Sequence, residues 1–326
     1  MNDLEYYRGK RVCVTGATGL IGSYAVELLV ESGALVSATR HHHGWNLELE
    51  DVYDVDLLSP TDTAWTLIEI FRDLDVVINC AGITGGVGLP SKDPVSYVGP
   101  ATAMVCNVLH ACHLAKVERF GFLSSTTVYR ATVNPVTEDI DDSFSELYPL
   151  YRGIGESKRF LEKLCRYYHE TTGIGVGIVR PSGAYGRFDN FDPETSHVVP
   201  GMIDRALKLK PGEAFEIWGD GEDVRDIIHA EDAARGLLLA VAKRPDCTPI
   251  NIASGKGIRT CELAGAVIEA VDPTGDHELK TNPSKPSALK SRTVNISRAR
   301  EMLGFEPRIS LADGLADTVK WRREQL

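Results

Sequence analysis

No apolar run in the 326-residue sequence is long enough to cross a bilayer, and the opening MNDLEYYRGKR lacks the apolar stretch of a signal peptide. Both absences predict a cytoplasmic chain without a membrane segment. An excess of positive charge is missing as well. Lys and Arg number 35 against 46 Asp and Glu, a formal charge of −11, which argues against nucleic acid or an anionic membrane as partner. The seven cysteines include no C-x-x-C pair, and an odd number suits reduced thiols better than a disulfide framework. Internal repeats and low-complexity segments are absent too, while the length allows one large core or two smaller ones.

What is present is organised around residues 11–33, RVCVTGATGLIGSYAVELLVESG. Val12, Cys13, Val14 and Thr15 read as a strand, and the apolar spacing of Ile21, Ala25, Leu28 and Leu29 reads as a helix. Between them Gly16, Gly19 and Gly22 recur at three-residue spacing. Such glycines let backbone N–H groups approach a pyrophosphate, and the helix start supplies partial positive charge. Gly16, Thr18, Gly19, Leu20, Ile21 and Gly22 are therefore candidate dinucleotide contacts.

Residues 34–39 read as a second strand, whose end is where a dinucleotide-binding fold meets the adenosine ribose. No acid stands there. Thr39 and Arg40 do, followed by His41, His42 and His43 in a solvated loop, so NADP(H) is favoured and NAD(H) possible. Residues 53–55 form a short third strand before Asp56 and Leu57, and 64–71 a helix. Residues 75–80, DVVINC, form an apolar strand of the kind buried on both faces. Ala81, Gly82, Ile83, Thr84, Gly85 and Gly86 follow it and leave room for the nicotinamide half. A helix over 95–116 sets Cys106, His110 and His113 at metal-ligand spacing, but the same face suits packing on a sheet and no metal is assigned. Residues 120–123 are a fifth strand, ending at Ser124, Ser125, Thr126 and Thr127 where ligand crevices of open α/β sheets lie. The helix over 150–168 bears Lys158, and 175–180 is a sixth strand.

The G-x-x-G-x-x-G turn GATGLIG resembles the extended, nucleotide-sugar-modifying branch of the short-chain dehydrogenase/reductase superfamily, the NAD-dependent epimerase/dehydratase family. NVLHACHLAKVERFGFLSS, GESK, RPSGAYGR and REMLGFEPRISLADGLADTVKW extend the resemblance over essentially the whole chain. The Gly85-Gly86 turn, NFDPETSHVVP and WGDGEDVRDIIHAED are most similar to the GDP-fucose synthase-like enzymes. The resemblance implies a Rossmann-type doubly wound parallel sheet over 1–181, and a smaller substrate-binding lobe over 182–326 with segments returning to the first domain. It implies adenine contacts at Asp56 and Leu57, and nicotinamide contacts at Ala81, Gly82 and Lys158, the last holding the ribose. It implies substrate contacts at Gly85, Gly86 and Trp218, His197 as proton donor or acceptor, Arg205 and Arg225 toward a diphosphate, and Arg292 nearby. The implied partner is a nucleotide-diphosphate sugar, GDP-sugars favoured, in a homodimer built through helices 95–116 and 150–168.

The departures are specific. The family tyrosine four residues before the lysine is Ile154, which transfers no proton. Tyr151 shares the lysine's helix face at about 10 Å along the axis, and Tyr148 is a weaker substitute. The epimerisation cysteine aligns with Thr127, and two family asparagines align with Gly183 and Ala101. Thr126-Thr127 replaces the Asp-Glu of sugar dehydratases, so dehydration is not expected. Two functions follow. One is an oxidoreductase or epimerase working at C4 of the sugar, with Ser125 and Thr127 orienting the oxygen and His197 or Tyr151 handling the proton. The other is a catalytically reduced protein that binds NAD(P) and a sugar nucleotide as scaffold or sensor.

Overall fold

The computed structural model describes residues 3–41, 49, 51–83, 85–86, 93, 95–139, 146–275, 277–285 and 289–326. His42, His43 and Thr84 lie outside these. Six strands arrive first: β1 (Arg11–Thr15), β2 (Leu35–Arg40), β3 (Val52–Asp54), β4 (Val76–Asn79), β5 (Arg119–Leu123) and β6 (Gly175–Pro181). Each falls within two residues of its expected bounds. After β7 (Gly183–Tyr185), β8 (Phe215–Trp218) and β9 (Val224–His229), β10 (Asp246–Ile252) returns beside β6. The resulting sheet is parallel throughout, in the order β10-β6-β5-β4-β1-β2-β3. Strand order reverses between β1 and β4, so a crevice opens beyond their carboxyl ends.

Both faces of this sheet are covered, which is why β4 is buried from end to end and β1 from Val12 to Thr15. Val12, Val14, Val76 and Ile78 pack with Ala25 and Leu29 of α1 (Leu20–Glu31). Cys13 and Val77 point the other way, toward α2 (Leu67–Phe71), α3 (Val98–Leu114) and α4 (Arg152–Thr172). Beyond α5 (Val198–Leu207), α6 (Ala230–Lys243) returns to the α1 face through Ala234, Leu237 and Val241.

A separate core holds Val199, Met202, Ile203, Phe215 and Ile217 together with α7 (Thr260–Val271) and α9 (Leu311–Glu324), which follows the short α8 (Ser297–Leu303). Over it, β9 lies between β11 (Gly257–Arg259) and β13 (Ser291–Arg292) and also pairs with β7, while β12 (Leu279–Asn282) pairs with β8.

Three helices differ from expectation at their starts. α2 begins at Leu67, three residues later than expected, after a π-helical turn over Asp62–Thr66. α3 begins at Val98, and α4 begins at Arg152 after a 3₁₀ turn over Pro149–Tyr151. Pro149 suits that first turn, since it has no N–H to leave unpaired. α4 then runs past 168 to Thr172 and stops at Gly173, whose φ of +80° is left-handed. No helix among the described residues is long and apolar enough to span a membrane.

Candidate active site

The glycine turn is built for close approach. Gly16 has φ +66°, and a Cβ there would sit 2.5 Å from the Ala81 nitrogen, so the turn after β1 touches the chain leaving β4. Gly19 N donates to Gly16 O at 3.0 Å, and α1 then begins with no side-chain cap and no acid in its first turn. The positive end of that helix is thus left for an anion, and these residues fit a dinucleotide pyrophosphate. Thr18, Leu20 and Ile21 are only partly buried beside it.

Arg40 lies across from Asp54 in the β2–β3 register, and its Nε and Nη2 donate to Asp54 Oδ1 and Oδ2 at 2.8 and 3.2 Å. The cation expected at the adenosine ribose is therefore shared with a carboxylate. Asp56 Oδ1 accepts from Leu58 N at 2.9 Å, and Asn107 Nδ2 donates to Leu57 O at 2.8 Å, which pins the loop after β3 against α3.

At the end of β5, Ser125 Oγ accepts from Thr127 N at 3.1 Å and caps the 3₁₀ turn Thr126–Val128. Thr127 Oγ1 is buried without a hydrogen-bond partner among the described residues. Lys158 Nζ donates to Leu123 O at 2.7 Å and lies 5.0 Å from the centre of the Phe122 ring. Desolvation pushes its ammonium down to about 8, against the pull of Glu162. Ile154 is partly buried one turn before Lys158, Ala101 is buried in α3, and Gly183 pairs with Ile227.

Because α4 starts at Arg152, Tyr151 is its N-cap and not part of its helical face. The axial distance expected for a continuous helix does not apply. Burial raises the Tyr151 pKa, while Arg225 and Arg292 lower it. Those two arginines are register partners on β9 and β13. Arg225 Nη2 donates to Asp223 Oδ2 at 3.1 Å, whereas among the described residues Arg292 reaches only the carbonyls of Tyr129 and Arg130, at 3.3 and 3.4 Å. Burial pushes Arg292 down to about 10, and Arg225 adds to that effect. The pair is a concentrated positive site next to a phenol.

The loop after β7 is clamped to the glycines after β4. Gly86 N donates to Thr195 O at 2.8 Å, and a Cβ on Gly86 would lie 2.0 Å from Ser196 O. Gly85, His197 and the start of α5 are thereby gathered at one place. Arg205 of α5 donates from Nη1 to Glu216 O at 2.6 Å, and its guanidinium lies 5.3 Å from the Trp218 ring, half exposed at the end of β8. Cys106, His110 and His113 form no such centre: His110 Nδ1 and Tyr168 Oη are 3.1 Å apart, and the described residues contain no metal-holding cluster.

The sequence matches the NAD dependent epimerase/dehydratase family over residues 12–253. The chain belongs to that family. It is 28% identical to a dTDP-4-dehydro-6-deoxy-D-allose reductase of Streptomyces sp, covering 98% of both chains. It is 29% identical to a probable GDP-L-fucose synthase of Oryza sativa subsp. japonica, covering 98% of this chain and 94% of that one. Among solved structures, the UDP-glucose 4-epimerase of Thermotoga maritima with UDP-glucose superposes with a TM-score of 0.81, at 25% identity over 97% of this chain and 99% of that one. The resemblance read from GATGLIG and the fold it implied are both borne out.

Beneath this epimerase/dehydratase-family site lies a buried network that sequence reasoning missed. Arg180 Nη2 donates to Glu162 Oε2 at 2.6 Å and Nη1 to Tyr129 Oη at 3.1 Å; Ser124 Oγ also bonds Glu162. Tyr129 Oη donates to Asn251 Oδ1 at 2.5 Å, and Asn251 N to Glu138 Oε1 at 2.9 Å. These bonds tie the ends of β5, β6 and β10 to α4, the helix that carries Lys158. Glu162 lies one turn after Lys158, the one signal in the sequence that pointed to it.

Proposed function

We propose that the crevice binds a nucleotide-diphosphate sugar and changes its C4 position, by reducing a 4-keto group or by oxidation and epimerisation. The chain is an NAD(P)-dependent nucleotide-sugar epimerase/reductase, and a bound nicotinamide supplies or takes the hydride. The observation that carries the substrate class is the Arg225–Arg292 pair, two guanidiniums in register beside Tyr151. Two adjacent guanidiniums, of which Arg292 is desolvated, suit a diphosphate, which accepts from guanidinium groups bidentately. The named relatives concern dTDP- and GDP-sugars; GDP-sugars are favoured here on the NFDPETSHVVP and WGDGEDV stretches.

Ser125 and Thr127 orient the sugar oxygen, Thr127 through a hydroxyl with no partner among the described residues. Lys158 holds the cofactor ribose. His197 or Tyr151 moves the proton in place of the tyrosine that Ile154 displaces. Gly85, Gly86, Arg205 and Trp218 line the sugar-nucleotide side. Arg40 favours NADP(H) over NAD(H), moderated by Asp54. The enzyme is read as cytoplasmic, with seven unpaired cysteines, and as a homodimer. Phe160 and Tyr167, seven apart on α4, and Trp65 near α3 are exposed apolar side chains that a second copy would cover.

The test is the absorbance of NADPH, then NADH, in the presence of GDP-, UDP-, CDP- and dTDP-4-keto sugars. Loss of reduced cofactor with one nucleotide class supports the reading. Tight cofactor binding with no oxidation across the panel favours the scaffold or sensor role instead.

A further inference from the structure

We propose that Asp189 is a positioning residue for His197, holding the imidazole with its proton on Nδ1 and its Nε2 toward the crevice. This rests on the proton-transfer role given to His197 above. The two residues stand at opposite ends of one short, self-bonded loop. Asp192 Oδ1 accepts from Glu194 N at 2.8 Å and from Thr195 N at 3.0 Å, and Asn190 Nδ2 donates to Thr195 Oγ1 at 2.8 Å. Phe191 anchors the loop in the second core, its ring 6.0 Å from that of Trp321. Gly86 clamps the far end through Thr195 O. The loop is stiff, and it brings Asp189 back against His197.

The side chain of Asp189 is only 4% exposed. Its Oδ1 accepts from Asn190 N at 2.7 Å, while Oδ2 is buried with no hydrogen-bond partner among the described residues. His197 Nδ1 is likewise buried without a partner, and it lies 3.8 Å from Asp189 Oδ1. A buried ring nitrogen without a partner is costly, and Asp189 Oδ1, which takes one bond from Asn190 N, has a second lone pair with which to accept from His197 Nδ1. A movement of about 1 Å brings them to ordinary hydrogen-bond length.

The His197 side chain is nevertheless 39% exposed, so its open edge is the one that bears Nε2. A carboxylate can only accept, so the ring nitrogen that faces it must hold a hydrogen. The lone pair of neutral His197 is then on Nε2, open to the substrate. When Nε2 takes a proton from the sugar, the Asp189 carboxylate stabilises the imidazolium, which returns the proton in the reverse step.

The test uses ¹⁵N-histidine-labelled full-length protein, with the His197 signals assigned by their loss in His197→Gln. The wild type is expected to show His197 in the Nδ1–H form, and Asp189→Ala in the Nε2–H form. Asp189→Asn, which keeps the shape and the turn bond to Asn190, is expected to show a mixture, since an amide both donates and accepts. Both Asp189 variants are expected to lose tenfold or more in kcat, with KM changed by less than about threefold. The same tautomer in wild type and both variants, or wild-type kcat in Asp189→Asn, overturns the proposal. The tautomer readout needs no substrate. A protein that turned over no nucleotide sugar yet showed the tautomer change would sink the proposed function and leave the Asp189–His197 pair standing.

Discussion

Replacing Lys158 by Met is expected to make the cofactor-free protein more stable at neutral pH while weakening its hold on the nicotinamide ribose. Burial pushes the Lys158 ammonium from its ordinary 10.5 down to about 8, with desolvation the leading cause. At about 1.4 kcal/mol per pH unit, a fall of that size costs about 3 kcal/mol wherever the lysine is charged both folded and unfolded. Below about pH 8 both forms hold the proton and the penalty is full. Between about 8 and 10.5 the folded lysine is neutral while the unfolded chain still binds a proton, so the penalty fades as pH rises.

Methionine keeps the unbranched stem but gives up the bond to Leu123 O and the contact with the Phe122 ring, a loss of about 1 kcal/mol. The net expectation is a gain of about 2 kcal/mol at pH 7 that disappears and reverses by about pH 10.5. Urea unfolding of both proteins without cofactor, at pH values of about 7, 8.5 and 10, gives the difference with titrations elsewhere cancelled. A variant less stable than wild type at pH 7, or a difference flat with pH, refutes the reasoning. A confirmed gain would make Lys158 a site residue kept at the expense of stability.

Tyr151→Phe should lower kcat by about 10² or more with little change in KM, the scale of a lost general acid; unchanged turnover removes Tyr151 from proton transfer. Asp54→Asn frees Arg40 and should raise the NADPH over NADH preference, whereas Arg40→Ala should abolish the preference. Fluorescence titration with both cofactors decides it, and identical ratios in all three proteins would remove Arg40 from cofactor choice. Gly86→Ala places a methyl 2.0 Å from Ser196 O, so the His197 loop must shift. Calorimetry should show Tm lower by several degrees, together with a fall in kcat/KM; wild-type values of both would mean the clamp is soft.

Elements whose cause is local were legible in the sequence. Burial on two faces makes the middles of β1 (Val12–Val14) and β4 (Val76–Ile78) continuously apolar, and the glycine spacing marks the turn between β1 and α1. Features made by distant residues were not. Nothing in the local sequence around Asp54, Glu162, Arg180 and Asp189 assigned them a partner; packing sets them against Arg40, Ser124, Tyr129 and His197. Tyr151 was misplaced for a different reason. The Pro149–Tyr151 turn runs directly into α4, and only backbone geometry separates them. The return of β10 to the large sheet depends on its pairing with β6, a contact with no local signature.

The most direct test of the central claim is isotopic. The enzyme is given NADPH deuterated at the transferable position of the nicotinamide ring, with the 4-keto nucleotide sugar that the absorbance panel selects. The account predicts a product sugar heavier by one mass unit, with the deuterium at C4. An unlabelled product, or deuterium elsewhere on the ring, would contradict it.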